Sequence, residues 1–486
     1  MVKKITFYNV SYSPNLNLKQ QKSFTSFSQH IQPNPLVKIP VPTLLAYLNN
    51  INKTDSTLLV TYSVPIEQLK LKYSDIAKSN IQNLKTRAGQ KGQVLNWIEK
   101  LPTEQLLRLD EIYSLALQAK LNGAKKLGVI GIGGSKHTIE NMLSLNGYLD
   151  DVAFLSAVDP ASMDKFIEKL GDIKDVTIMV ASKSGTTLEP STGYDYVEKA
   201  FVEKFKNEYL KRGYCEQDAL RMANKEACKH FICITDKDAS KSKLRQIANE
   251  KGYACGVIHD DCGGRFGAFD DHTLVALAWC GMKKDDMKEM LESSLKSQKR
   301  FLSEDLGKNT AMQRAIFNTD CILNGKFNQH DYYFGDNFAG TTLWNTQMKK
   351  ESHKSLYKVS ADLLGPEFLH NSTESDLDSG NKTSFYTFNK LANDKSEKFR
   401  SYNALVDGSY KSYSERHPVS TIELKDLSPK SLGEFVELKH FEALYTGMLL
   451  RNLNEGEGFV QPDVLPEVVQ PSVGIYKKEV QKILNN

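Results

Sequence analysis

From residue 127 the chain alternates between short runs apolar on both faces and longer stretches apolar on one face only. Residues 127–130, 152–155, 176–180, 231–235 and 254–258 are the short runs, which predicts strands covered on both sides in a parallel sheet. Between them, apolar positions recur at helical spacing. The first such stripe carries Ile139, Met142 and Leu143, and the second, opened by Pro160, carries Met163, Phe166, Ile167 and Leu170. Tyr194, Val197, Phe201 and Phe205 form the third, and Leu244, Ile247 and Ala248 the fourth, which stops near Gly252. Strands alternating with amphipathic helices predict a doubly wound α/β domain, placed at 123–285.

A second α/β pattern follows. Helices are predicted over roughly 272–323, and strands at 332–335, 356–359 and 385–388. A long helix over about 431–450 carries Phe435, Leu438, Phe441, Tyr445 and Met448 on one side. This second domain is placed at 286–455. A C-terminal loop and helix at 456–486 carries Val473, Tyr476, Val480 and Ile483 on one side. Ahead of the first domain, a helical lead-in over 65–122 places Ile112, Leu115, Ala116 and Ala119 together. Residues 1–64, rich in Ser, Asn, Gln and Pro over 11–40, are expected to form an irregular arm. The fold expected is α/β: two tandem doubly wound parallel-sheet domains with helical N-terminal and C-terminal extensions. Such a pair commonly holds a site in the cleft between its units.

Length agrees with this division, because 486 residues exceed what one core accommodates. The 63 basic and 59 acidic residues leave a net charge of only +4, without blocks of one sign, so neither nucleic acid nor an anionic membrane is an expected partner. No run of 18 apolar residues suggests a membrane span, and MVKKITFYNV lacks the apolar core of a signal peptide. The seven cysteines are scattered, with no C-x-x-C pair, which fits a reducing cytoplasm and argues against a zinc site.

The chemistry concentrates at predicted strand ends, where open parallel sheets bind ligands. "GIGGS" (131–135) follows the first strand and "SKSGTT" (182–187) the third. Glycines allow close backbone approach, free N–H groups at a helix start favour an anion, and the hydroxyls and one lysine add donors. The set suits a phosphate monoester, although either loop alone could be an ordinary turn of small residues. After the fifth strand, "GGRF" (263–266) sets a tight turn that aims Arg265, either as an anion clamp or as a surface ion-pair partner. Unaided, Glu351 in "QMKKESHK" reads as part of a solvated charged face, His370 as a surface or acid/base histidine, and Lys477 with Lys478 as an exposed helix face.

These motifs, in this order and at these intervals, resemble the glucose-6-phosphate isomerase family. The resemblance extends to "NWIEKLP" (96–102), "WNTQMKKES" (344–352), "LKDLSPKSLGEF" (424–435) and "VQPSVGIYK" (469–477), covering roughly 65–486 and most similar to the shorter bacterial type. The C-terminal signature departs from the family pattern at Val468, Val469 and Gly474, and Gly267 stands after "GGRF" where Ser is usual. The resemblance implies two sugar-isomerase (SIS) domains in a cytoplasmic homodimer that interconverts glucose 6-phosphate and fructose 6-phosphate with no cofactor or metal. It implies that Ser135, Ser182, Ser184 and Thr187, with the backbone of Gly134 and Lys183, bind the phosphate. Glu351 would be the base, Arg265 the stabiliser of enediolate charge, and Gln470 a sugar contact. His370 would act in ring opening from the partner subunit, assisted by Lys477. A dual phosphoglucose/phosphomannose isomerase and a non-catalytic phosphosugar sensor are the alternatives.

Overall fold

The computed structural model describes residues 56–120, 123–354, 358–363, 366–392, 396–455, 462–470 and 472–484. Its strands are β1 (Leu58–Tyr62), β2 (Lys126–Ile130), β3 (Val152–Leu155), β4 (Val176–Ala181), β5 (Phe231–Thr235), β6 (Ala254–Val257), β7 (Asn328–Tyr333), β8 (Lys358–Leu363), β9 (Ser384–Leu391) and β10 (Val419–Leu424).

The five early apolar runs form one parallel sheet in the order β3-β2-β4-β5-β6. Both faces are covered, as their composition requires. Ile178 and Val180 of β4 enter one apolar cluster and Met179 the other. In β5, Phe231 and Cys233 likewise alternate with Ile232 and Ile234. The chain starts at β2, winds outward to β3, then reverses to β4. Adjacent strands whose connections leave in opposite directions create a crevice at their carboxyl ends. "GIGGS" and "SKSGTT" are the two loops that flank it.

The second sheet has the order β1-β10-β9-β7-β8. Strands β7 to β10 are mutually parallel and repeat the reversal, this time between β7 and β9. Strand β1 is antiparallel to β10 and extends the edge. The irregular arm expected up to residue 64 therefore ends in a sheet strand, while residues 1–55 lie outside the described residues. The strand expected at 332–335 begins earlier, at Asn328, and that expected at 356–359 is β8, from Lys358. Strand β10 has no counterpart among the expected strands.

The second core is charged. Asp331 of β7 is fully buried and accepts from Lys349 Nζ at 2.6 Å and Asn345 Nδ2 at 2.7 Å. Glu442 of the helix Pro429–Glu455 pairs with Arg314 at 2.9 Å and with Lys349 at 3.1 Å, all without solvent exposure. Desolvating these charges is costly, and mutual pairing offsets it.

Two helices join the units. Gly134–Leu145 follows β2, and Ala339–His353 follows β7. A Cβ on Gly340 would lie 2.2 Å from the Glu140 carbonyl oxygen, and Thr341 Oγ1 donates to Asn141 Oδ1 at 2.7 Å. At the other end of the crossing, a Cβ on Gly133 would lie 3.2 Å from Gln347 Nε2. The helices thus run antiparallel, which brings the last turn of the second against the first turn of the first. Among the described residues, no helix is long and apolar enough to cross a membrane.

Candidate active site

The site begins with a glycine contact. A Cβ on Gly134 would fall 2.2 Å from the Gly264 carbonyl carbon and 2.5 Å from the Arg265 nitrogen, so "GIGGS" and "GGRF" meet backbone to backbone. We predict that Gly134→Ala lowers stability by about 1–3 kcal/mol, because rigid backbone must move to admit a methyl. Thermal denaturation checks this. Gly408→Ala is the control: it lies inside the helix Arg400–Ser414 with no neighbour within 4 Å, and should hold or raise the melting temperature.

The same turn aims Arg265 inward. The side chain is buried, lies over Phe266 at 4.8 Å, and its carbonyl accepts from Trp344 Nε1 at 3.1 Å. Phe266 in turn stacks on Trp97. The guanidinium donates to three groups: Glu351 Oε2 at 3.0 Å, Ser352 Oγ at 3.3 Å and the Glu467 carbonyl at 2.5 Å. Burial lowers its pKa to about 10, and the Glu351 charge works against that shift. At neutral pH it remains a desolvated cation, where charge interactions exceed their strength in water.

Glu351 sits in the last turn of its helix with its side chain 23 % exposed. Three donors reach its carboxylate: Arg265, Gln347 Nε2 at 2.9 Å to Oε1, and Gln470 Nε2 to Oε2. Gln347 is one helical turn earlier and also borders Gly133, so the carboxylate abuts the first glycine loop. A Cβ on Gly131 would lie 3.3 Å from both the Ala181 and Ser135 carbonyl oxygens, which links that loop to the end of β4.

Backbone contacts pin the "SKSGTT" loop. The Lys183 carbonyl accepts from Thr235 Oγ1 at 2.9 Å and Asp236 N at 3.1 Å, and Lys243 N donates to the Ser184 carbonyl at 2.9 Å. Gly185 has φ +67, and a Cβ there would be 2.3 Å from Leu244 N. Ser182 is buried and its Oγ accepts from Gly185 N at 3.2 Å. Ser184 and Thr186 hydroxyls lie 2.8 Å apart. Thr187 is the N-cap of Leu188–Lys211, yet its hydroxyl makes no cap bond. Ser135 lies in the first turn of its helix. The Lys183 ammonium reaches the His259 carbonyl and Asp260, both at 3.3 Å.

Arg265, Glu351, Gln470, Gly134 and Ser135 thus form one neighbourhood that continues to Ser182–Thr187. Among the described residues, no hydrogen bond or ion pair links His370 or Lys477 to that neighbourhood. Both are exposed, on Pro366–Asp376 and Val473–Leu484. Residues the sequence did not single out also build the site: Gln347, Ser352, Lys354, Glu467 and Arg451. Gln347 has a legible signal, its i−4 spacing from Glu351 on one helix. Arg451 Nε holds the Glu467 carboxylate at 2.6 Å and so fixes the carbonyl that Arg265 grips.

Among the described residues, His259, Asp270 and Asp271 are the one group whose atoms could converge on a cation. Their oxygens are already engaged, with His259 Nδ1 2.6 Å from Asp270 and Arg108 3.0 Å from Asp271. The group is an ion-pair network, and it holds the His259 imidazole above its usual pKa against the effect of burial.

This geometry can be set beside known proteins. Residues 119–325 match the phosphoglucose isomerase family model. The matched region contains both glycine loops and Arg265. A glucose-6-phosphate isomerase of Staphylococcus saprophyticus is 28 % identical over 308 residues, 59 % of this chain and 62 % of that protein. One from Clostridium novyi is 29 % identical over 323 residues, 61 % of this chain and 64 % of that protein. The alignments therefore span less than two thirds of these relatives' own length. Among solved structures, a glucose-6-phosphate isomerase from Chlamydia trachomatis shares the fold with a TM-score of 0.67 at 16 % identity, covering 96 % of this chain and 95 % of that one. A hypothetical protein from Thermus thermophilus gives 0.69 at 18 % identity, covering 88 % and 100 %.

Proposed function

We propose that this protein interconverts glucose 6-phosphate and fructose 6-phosphate. The observation that carries the reading is the Arg265–Glu351 pair, a held carboxylate and a buried guanidinium set against two glycine loops suited to a phosphate. Ser135, Ser182, Ser184 and Thr187, with the backbone of Gly134 and Lys183, grip the phosphate at the substrate's inert end. Binding energy there positions C1 and C2 at the carboxylate. Glu351 removes the proton from C2 of the open-chain aldose. The C2–H electron pair forms the C1–C2 double bond, and charge moves to O1. Arg265 stabilises that cis-enediolate, the O2 hydroxyl proton passes to O1, and the proton held by Glu351 returns to C1 as the O2 electron pair forms the C2 carbonyl of the ketose. Gln470 contacts the sugar. Ring opening falls to Lys477 and to His370, supplied across a homodimer by the partner subunit. The setting is cytoplasmic.

An assay of the purified protein with fructose 6-phosphate, glucose 6-phosphate and mannose 6-phosphate tests the reading. Turnover of the first two supports it, turnover of mannose 6-phosphate widens it to a dual isomerase, and phosphosugar binding without turnover would make the protein a sensor. In the same assay Thr187→Ala should raise KM more than it lowers kcat, because a phosphate contact is made equally in the ground and transition states. A fall in kcat at unchanged KM would contradict that role.

A further inference from the structure

We propose that Lys354 is a positioning residue that straps the 467–470 segment over the site and keeps Gln470 on the Glu351 carboxylate. The inference rests on the isomerase reading above. Lys354 follows the last residue of Ala339–His353 and has φ 53 and ψ 38, the left-handed region. Glycine occupies that region without strain, whereas a lysine pays a steric cost there. Ending the helix would not require a lysine, so the side chain itself must be accounted for. Its Nζ donates to the Val469 carbonyl at 2.5 Å, the residue immediately before Gln470.

Three bonds then tie this segment to the site: Arg265 to the Glu467 carbonyl, Lys354 to the Val469 carbonyl, and Gln470 to Glu351. The first anchors the end already held by Arg451. Lys354 and Gln470 connect the other end to the last turn of the helix that bears Glu351. Lys354 as a residue is exposed, so removing its side chain leaves the core intact. Its ammonium is nonetheless near the site's charges. Partial burial and the Arg265 cation lower its pKa to about 8, against the pull of Glu467 and Glu351.

Lys354→Gly relieves the backbone strain and deletes the strap at once. Expected are a melting temperature no lower than wild type and a kcat/KM for fructose 6-phosphate reduced about tenfold, the scale of one charge-assisted hydrogen bond. Lys354→Arg should restore most of that loss. The double variant with Gln470→Ala should be no worse than Gln470→Ala alone, because Lys354 acts through Gln470. Wild-type kcat/KM in Lys354→Gly, or losses that multiply in the double variant, would overturn the proposal. Hydrogen–deuterium exchange over 465–473 reads the strap without any turnover. Faster exchange in Lys354→Gly is expected, and unchanged exchange would overturn the strap even if the wild type proved inactive. An inactive wild type with the faster exchange would instead sink the isomerase reading alone.

Discussion

Glu351→Gln should turn over fructose 6-phosphate about 10³-fold more slowly than wild type, within the range that a positioned general base contributes. Glutamine keeps the shape and can still accept from Arg265, so KM should shift by less than about threefold and the fold should persist. What it lacks is a carboxylate to carry the proton between C2 and C1. Steady-state kinetics beside circular dichroism checks both halves. An active Glu351→Gln enzyme would remove this residue from the role of base, whatever the overall reaction.

Arg265→Met should cost about 10²–10³-fold in kcat, the scale seen when a preorganised oxyanion partner is removed. The guanidinium is buried and faces the carboxylate at 3.0 Å, so no water can replace it at low cost. Methionine restores much of the volume but none of the three donated bonds. Arg265→Lys should also lose more than about tenfold, since a single ammonium cannot span Glu351, Ser352 and the Glu467 carbonyl together. Stability should fall less than activity, because Glu351 remains partly exposed and keeps Gln347 and Gln470 as donors. A lysine variant with wild-type kcat would contradict the need for a fork-shaped cation.

The first sheet was legible because its strands are apolar on both faces, and β4 and β5 are buried along their whole length. The second was less so, for a physical reason. Strand β7 reads NQHDYY, and its Gln329 and Asp331 are buried through polar partners, not apolar packing. Strand β10 mixes Ser420, Thr421 and Glu423 into its run, and β1 pairs at an edge across more than 350 residues of chain. Hydrophobic periodicity carries no signal for a charged core or a distant edge.

The site divides along the same line. The glycine loops show themselves, because close backbone approach leaves a compositional trace at Gly134 and Gly185. Glu351 does not, since "KKES" looks like a solvated face until Lys349 is seen paired with Asp331 in the core and Ser352 under Arg265. Only the family resemblance singles it out beforehand. The ties at Glu467 and Val469 use backbone carbonyls, which no side-chain pattern encodes.

The most direct test of the account is to run wild type and Glu351→Gln on fructose 6-phosphate in D₂O and follow the sugar by NMR. Wild type should form glucose 6-phosphate with deuterium entering at C2 as the Glu351 proton exchanges with solvent, and the variant should form labelled product about 10³-fold more slowly. No glucose 6-phosphate from wild type, or labelled product at an undiminished rate from Glu351→Gln, would contradict the account.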